Sequence, residues 1–512
     1  MQRTAPIVHR ASSVAVGALL AAGLLSSGPV PVHPSPVLQA VVAYAGTAAD
    51  LPGVQLVSAL PGLRLAVVRG DRAALTHLAG LPGVTGITPD DAVQLAEHDS
   101  SPGKGLLATT GLDGNAGEPG AGTGTRVAVL DTGVSDTPAL NRASGHLVDA
   151  VDTTGDDVRG PLVDGYGHGT FMAGLIAGGP VDGTDDQAIG IAPGATVVVV
   201  RVGRPDGSTR LSSVLGGLEW VYNHPQDVNV ANLSFAHERP AGAYGADPLT
   251  VAVERVVQAG VTVVVAAGNT AGQVGDPGFD PRVLTVGAAD LSRRRVAPFS
   301  GSARVGPAYK PDLVASGVGV LGLLPSDSVL GRAHRSSRLP NGLNRGSGTS
   351  QATAITSGTA ALLLADHPQA TPVQVKASLR CATKQLRGRR DGAGLLQLPE
   401  TLCADAVGRA LDDGRDLSGE MGFPASSWSA SSWSASSWSA SSWSASSWSA
   451  SSWSASSWSA SSWSASSWSA SSWSASSWSG SSWSASSWSA SSWSDASWSD
   501  SPRSAVSSDG PA

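Results

Sequence analysis

Asp131 ends the apolar run at 127–130 and precedes Thr132-Gly133, so a carboxylate is held where a buried strand meets a turn. His168 lies within Gly-Tyr-Gly-His-Gly-Thr-Phe-Met-Ala-Gly (165–174), where glycines let a loop pack closely as it enters a helix. Ser350 lies within Gly-Ser-Gly-Thr-Ser-Gln-Ala-Thr-Ala (346–354), a glycine turn opening an apolar helix. Taken singly, each has a plainer reading: a capping aspartate, a structural histidine, an N-cap serine. Taken together, they hold what acyl transfer needs. Serine is a weak nucleophile at neutral pH, so a histidine must accept its proton and later return it to the leaving group. A carboxylate behind the imidazole fixes its tautomer and stabilises the imidazolium.

These residues need a scaffold, and the chain from Arg126 onward alternates strand and helix patterns. Residues 127–130, 196–202, 228–233, 261–266 and 283–286 read as strands, whereas 171–177, 211–222, 249–259 and 350–366 read as helices. Continuous Val-rich runs such as 196–200 and 261–265 suit strands covered on both faces. The expectation is an α/β fold, a doubly wound and mostly parallel sheet with helices on both faces and its functional loops at the carboxyl ends of the strands. A domain spanning 126–410 follows.

The chain resembles the subtilisin-like serine peptidases. The likeness covers about 125–406 and rests on six motifs in order: Val-Leu-Asp-Thr-Gly (129–133), Gly-His-Gly-Thr (167–170), Gly-Ile-Ala-Pro-Gly (190–194), Ala-Ala-Gly-Asn (266–269), Lys-Pro-Asp-Leu-Val-Ala (310–315) and Gly-Thr-Ser (348–350). The resemblance implies that Asp131, His168 and Ser350 are a catalytic triad, with Asn269 the side-chain donor of an oxyanion hole. It also implies that protein or peptide substrates bind as an extended strand beside Ser234, Phe235 and Ala236. Four departures concern cleft shape: Ala236 stands where the family usually has Gly, Phe171 replaces a second His, and Gln351 and Ala354 replace a Met and a Pro. Structural calcium is implied by the resemblance without an assignable ligand set, and no cluster in the sequence has metal-ligand spacing.

The flanks carry their own signals. Residues 1–35 combine Arg3, His9 and Arg10 with a short apolar run, 14–25, too short to span a bilayer but suited to a signal peptide. Residues 36–99 read as a small α+β unit, and its phrase at 79–95 resembles the end of the inhibitory propeptide that precedes these peptidases; the chain would then carry its own inhibitor. A Gly/Pro-rich linker, 100–125, follows. From 411 to 512 runs a tail dominated by the repeat Ser-Ser-Trp-Ser-Ala, which holds fifteen of the sixteen tryptophans, so the aromatic fraction says nothing about the core. With almost no charge and no Leu, Ile or Val, the repeat reads first as a disordered low-complexity tail. A rival reading stacks its indoles on cell-wall glycan.

Cys381 and Cys403 are the only cysteines, and an even count in an exported chain favours a disulfide between them. A formal charge of -7 gives no case for nucleic acid. No membrane span is expected in the mature form. Scarce lysine with abundant Ala, Gly and Pro suggests a GC-rich bacterium, and the leader a secreted or envelope-associated protein. The leading reading is a secreted serine endopeptidase; the alternative is an inert envelope protein whose tail binds glycan.

Overall fold

The computed structural model describes residues 37–45, 51–95, 110, 112, 116–156, 163–181, 188–237, 247–305, 308–335, 338–386, 390–399, 401–403, 425–495 and 498–500. The expected leader lies outside these residues. No helix among them is long and apolar enough to cross a membrane.

The first unit pairs four antiparallel strands, β1 (Leu38–Tyr44), β2 (Gln55–Leu60), β3 (Leu65–Gly70) and β4 (Val84–Pro89), in the order β2-β3-β1-β4. Helix α1 (Arg72–Ala79) packs on this sheet, its start capped by Asp71, which accepts from the Ala74 amide. A fifth strand, β5 (Ala92–Leu95), leaves the sheet and joins other partners.

The main sheet begins with β6 (Arg126–Asp131), β7 (Leu147–Asp152) and β8 (Thr196–Arg201). Helix α2 (His168–Ala177) lies between β7 and β8 in the chain. After the short β9 (Thr209–Arg210) come α3 (Leu211–Asn223), β10 (Val230–Leu233), β11 (Phe235–Ala236), α4 (Pro248–Gln258), β12 (Thr262–Ala266) and β13 (Leu284–Asp290). Short strands β14 (Arg295–Val296), β15 (Ala303–Val305) and β16 (Ala308–Lys310) lead to β17 (Leu313–Ser316) and the hairpin of β18 (Val320–Leu323) with β19 (Leu343–Gly346). Helix α5 (Val329–Ala333) lies between those two strands. The domain closes with α6 (Thr349–Asp366), α7 (Pro372–Cys381), β20 (Thr383–Lys384) and β21 (Leu395–Leu396). The strand order is β20-β21-β17-β13-β12-β10-β6-β8-β7, parallel from β21 to β7. The chain steps from β6 to β8 on one side and β10 on the other, which makes the carboxyl end of β6 the switch point where such sheets place their sites.

Side chains alternate between two buried layers, as the Val-rich runs require. Val127, Val129, Val197 and Val199 face α2, α6 and α7 through Met172, Ile176, Ile355 and Leu379. Ala128, Leu130, Val198 and Val200 face α3 and α4 through Val214, Leu218, Val253 and Val256. Val41, Leu63, Leu65 and Val67 of the first unit belong to that second layer, so this unit sits on α3 and α4. The contact is also polar. Glu219 accepts from the amides of Gly62 and Leu63, both at 2.9 Å, and Arg255 donates to the Gly62 carbonyl at 3.0 Å. Asp90 accepts from the Ser212 amide at 2.7 Å and so caps α3, whose own N-cap, Arg210, supplies no side-chain bond.

Several outcomes differ from the sequence expectation. Residues 116–125, expected within a free linker, form turns packed on the core: Ala116 is buried, and a Cβ built at Gly122 would lie 2.7 Å from that of Ala192. β7 escaped notice because it is an edge strand whose apolar pattern is broken by Asp149 and Asp152. The repeat tail, expected to be unstructured, is extended throughout β22 (Ala425–Asp495), and β23 (Trp498–Asp500) pairs with it in parallel, Trp498 beside Trp478. Cys381 and Cys403 form a disulfide with their Cα atoms 6.4 Å apart.

Candidate active site

Asp131 is the last residue of β6 and is fully buried. Its carboxylate meets His168 Nδ1 at 2.8 Å and 2.9 Å and also accepts from the Thr132 amide at 2.8 Å. His168 opens α2 behind Gly167, whose φ of 107° is a left-handed conformation that glycine adopts without strain. The following Gly169 is required by packing: a Cβ there would come within 2.0 Å of the Gly133 carbonyl. That close approach brings the start of α2 onto the end of β6, and with it the imidazole onto the carboxylate.

Sequence reasoning missed Asp164. It is buried and accepts from the amides of Gly167 (2.7 Å) and Thr170 (2.8 Å) and from the hydroxyls of Thr170 (2.7 Å) and Thr132 (2.8 Å). Burial raises its carboxyl above the usual range even though these bonds oppose the shift. The side chain fastens the first turn of α2 to the residue after Asp131, positioning both members of the pair. Its only signal was an acid four residues before His168, just outside the glycine motif.

Ser350 lies in the first turn of α6, which packs along α2. Its hydroxyl donates to the Ser234 carbonyl at 2.8 Å, while the Ser234 hydroxyl donates to the Ser350 carbonyl at 3.2 Å. Ser234 is in turn fixed by Asn232, which donates to it at 2.9 Å and accepts from Ser357 at 2.9 Å. Asn269 follows β12 and accepts through Oδ1 from the amide and the hydroxyl of Thr349, each at 3.0 Å. These two bonds fix the sense of the amide, leaving Nδ2 as a buried donor with no acceptor among the described residues beside the first turn of α6. A donor held this way suits an oxygen that becomes negative during reaction.

Beside Ser234, strand β11 carries Phe235 and Ala236. β5 pairs antiparallel with it, Leu95 opposite Phe235 and Gln94 opposite Ala236, and pairs on its other edge with β9. The first unit therefore lays an extended strand between two edges at the site. Ala236 also shapes the wall, since a Cβ built at Gly275 would come within 2.5 Å of its methyl carbon. The other departures are absorbed in the core: Phe171 is 4% exposed and packs at Gly322 and Gly346, while Gln351 and Ala354 are buried.

Behind that wall, His237 and Asp276 exchange two backbone hydrogen bonds, both 2.9 Å. Burial, and then the charge of Asp247, pushes the Asp276 carboxyl well above the usual range. A group whose folded pKa is raised contributes stability that is present at acid pH and lost as pH rises through the folded value, about 1.4 kcal/mol for each tenfold weakening of the acid. The melting temperature should therefore fall as pH rises above the ordinary carboxyl range toward the raised folded value, and Asp276→Asn, neutral throughout, should flatten part of that fall. Thermal denaturation across this range checks it; an unchanged slope in the variant would show that Asp276 is already ionised in the fold.

The family model described as the Subtilase family matches residues 122–396. Serine protease AprX of Bacillus subtilis is 33% identical over 292 residues, 52% of this chain and 63% of its own length. Subtilisin Savinase of Lederbergia lenta is 36% identical over 261 residues, 51% of this chain and 83% of its own. The chain thus spans under two thirds of AprX. Among solved structures, fervidolysin from Fervidobacterium pennivorans, described as a keratinolytic enzyme related to subtilisin, superposes with a TM-score of 0.56 at 22% identity, covering 74% of this chain and 62% of that one. At that identity the likeness is one of fold.

Proposed function

The chain belongs to the subtilase family, and from that premise we propose that it is a secreted serine endopeptidase acting through an acyl-enzyme on Ser350. The observation that carries this reading is the buried Asp131–His168 pair, 2.8 Å apart at the switch point of the sheet, with Ser350 at the start of the helix packed along α2. Asp131 holds the imidazole with Nδ1 protonated, so Nε2 is the basic nitrogen. His168 takes the Ser350 proton as Oγ attacks the substrate carbonyl. The carbonyl oxygen becomes negative and is met by Asn269 Nδ2 and the Ser350 amide. His168 then protonates the leaving amine, and water repeats the sequence to release the acid.

Substrate binds as a strand along β11, in the place β5 takes. On this reading residues 36–99 are an inhibitory propeptide: β5 fills the strand position, Asp90 caps α3, and Glu219 holds the turn at Gly62. Ala236 narrows the wall against Gly275, so small side chains are preferred before the cut bond. The repeat tail stands outside the mechanism.

One experiment tests the reading. The processed protein should degrade an unstructured protein such as casein, a phosphonyl inhibitor should abolish this, and mass spectrometry should find the label on Ser350. Product ends should be enriched in Ala, Gly and Ser before the cut. No turnover and no label would favour the inert envelope protein instead. Turnover with large aromatic residues before the cut would remove Ala236 as a determinant while leaving the mechanism standing.

A further inference from the structure

Among the described residues no three acidic, histidine or cysteine side chains converge as metal ligands, so the calcium implied by resemblance finds no such ligand set there. The charge that gathers beside the candidate site is positive. Residues 326–346 hold four arginines, Arg332, Arg335, Arg338 and Arg345, against one acid, Asp327, in a chain whose formal charge is -7. Arg332, Arg335 and Arg338 are exposed. Arg332 donates to the Asp327 carbonyl, and Arg338 to the carbonyls of Ser326 at 3.0 Å and Gly331 at 3.5 Å. These bonds hold the side chains in place and neutralise no charge.

The segment is anchored beside both catalytic helices. The amides of Val329 and Leu330 in α5 donate to the carbonyls of Gly165 at 2.9 Å and Tyr166 at 3.0 Å, and a Cβ built at Gly167 would lie 2.5 Å from the Ser328 hydroxyl; His168 follows directly. At its other end β19 runs into Ser347, three residues before Ser350, whose hydroxyl accepts from the Gly319 amide at 2.9 Å. Val93 and Leu95 of β5 pack in the layer of α3 and α4, whereas Val320, Leu323, Leu330 and Leu343 pack in the layer of α2 and α6, on the opposite face of the sheet. A bound strand enters beside β11 and passes Ser350, so its part beyond the cut bond leaves over this segment.

The chain's own sequence fits such a path. β5 pairs Gln94 with Ala236 and Leu95 with Phe235, so the next residue of a strand bound in that register stands at Ser234, whose carbonyl holds the Ser350 hydroxyl. In the sequence that residue is Ala96, small as the wall at Ala236 favours, and Glu97 and Asp99 come after it. Building on the peptidase reading, we propose that Arg332, Arg335 and Arg338 form a basic shelf on the leaving side of the cut bond, which selects substrates carrying acidic side chains just beyond that bond. Exposed ion pairs are individually weak and are screened by salt, so the preference depends on several arginines together and on ionic strength.

The test uses two quenched fluorescent peptides spanning residues 90–102, one native and one carrying Glu97→Gln with Asp99→Asn, and the processed enzyme at about pH 8, where both acids are ionised. Wild type should cleave the acidic peptide with a kcat/KM about tenfold higher at low salt, a preference that shrinks to about twofold in about 0.5 M sodium chloride. Mass spectrometry should place the cut after Ala96. With Arg332→Gln, Arg335→Gln and Arg338→Gln combined, the ratio should fall to about one. Arg293→Gln with Arg294→Gln, on the turn between β13 and β14, should keep it. If the triple variant fails to fold, the single exposed Arg335→Glu reads the same effect as a lowered ratio. Equal rates on both peptides in wild type, a ratio that survives in the triple variant, or a cut beyond Asp99 would each overturn the shelf. Cleavage of neither peptide would overturn the peptidase reading on which it rests, and the shelf with it.

Discussion

Ser350→Ala should lower turnover by about a millionfold, the loss seen when a subtilisin loses its nucleophile, and should accumulate as an uncut precursor. The fold should survive, since the hydroxyl's bond to the Ser234 carbonyl is worth about 1 kcal/mol. The precursor follows from the placement of β5. Its antiparallel pairing with β11 sets Leu95 opposite Phe235, next to the residue that holds the Ser350 hydroxyl, so β5 ends with its carboxyl end directed along the strand toward Ser234, as a substrate strand would be. The bond cut should lie between Gln94 and Lys104. Wild type and variant can be expressed side by side in a host lacking other proteases and their N-termini sequenced. Trimming of Ser350→Ala at the same bond would sink autoprocessing, and a fully active wild type that keeps residues 36–97 would sink the inhibitory role.

Asn269→Ala should fold normally and lower kcat by about 10² to 10³, a range measured for the equivalent change in a subtilisin, with little change in KM. The split follows from geometry. Oδ1 is committed to the Thr349 amide and hydroxyl, so Nδ2 is the donor that remains. It gains most when the substrate oxygen becomes negative, and an interaction made in the transition state appears in kcat rather than KM. Asn269→Asp separates the two roles: the acceptor to Thr349 is kept, but a carboxylate faces the developing charge, so turnover should fall further than with alanine. Steady-state kinetics on a small-residue peptide series would measure both. An unchanged kcat in Asn269→Ala would remove the residue from the site.

The linear sequence determined whatever is local. Strand runs of continuous valine specified a sheet buried on both faces, because a strand with no polar alternation cannot face water. Glycines around His168 and Ser350 marked close approaches, and at Gly169 the reason is physical: any side chain would meet the Gly133 carbonyl. Asp131, His168 and Ser350 stood out as candidates because each stands in a glycine-flanked junction beside an apolar element, and Asn269 through the family resemblance.

What the tertiary structure decided involves partners far apart in the chain, whose choice depends on packing rather than periodicity. β7 became visible only as the edge of the sheet, where Arg201 of β8 meets Asp152 at 2.7 Å and makes an acidic strand end tolerable. The orientation of the Asn269 amide was set by Thr349, and the fastening of α2 by Asp164. Lys310 read as one letter of a Lys-Pro-Asp motif, yet three oxygens from the segment at 280–285 make it a buried cation. A sequence pattern records which face of an element avoids water. Which polar atoms meet once those faces are buried depends on register and approach distance, and these exist only when the elements pack together.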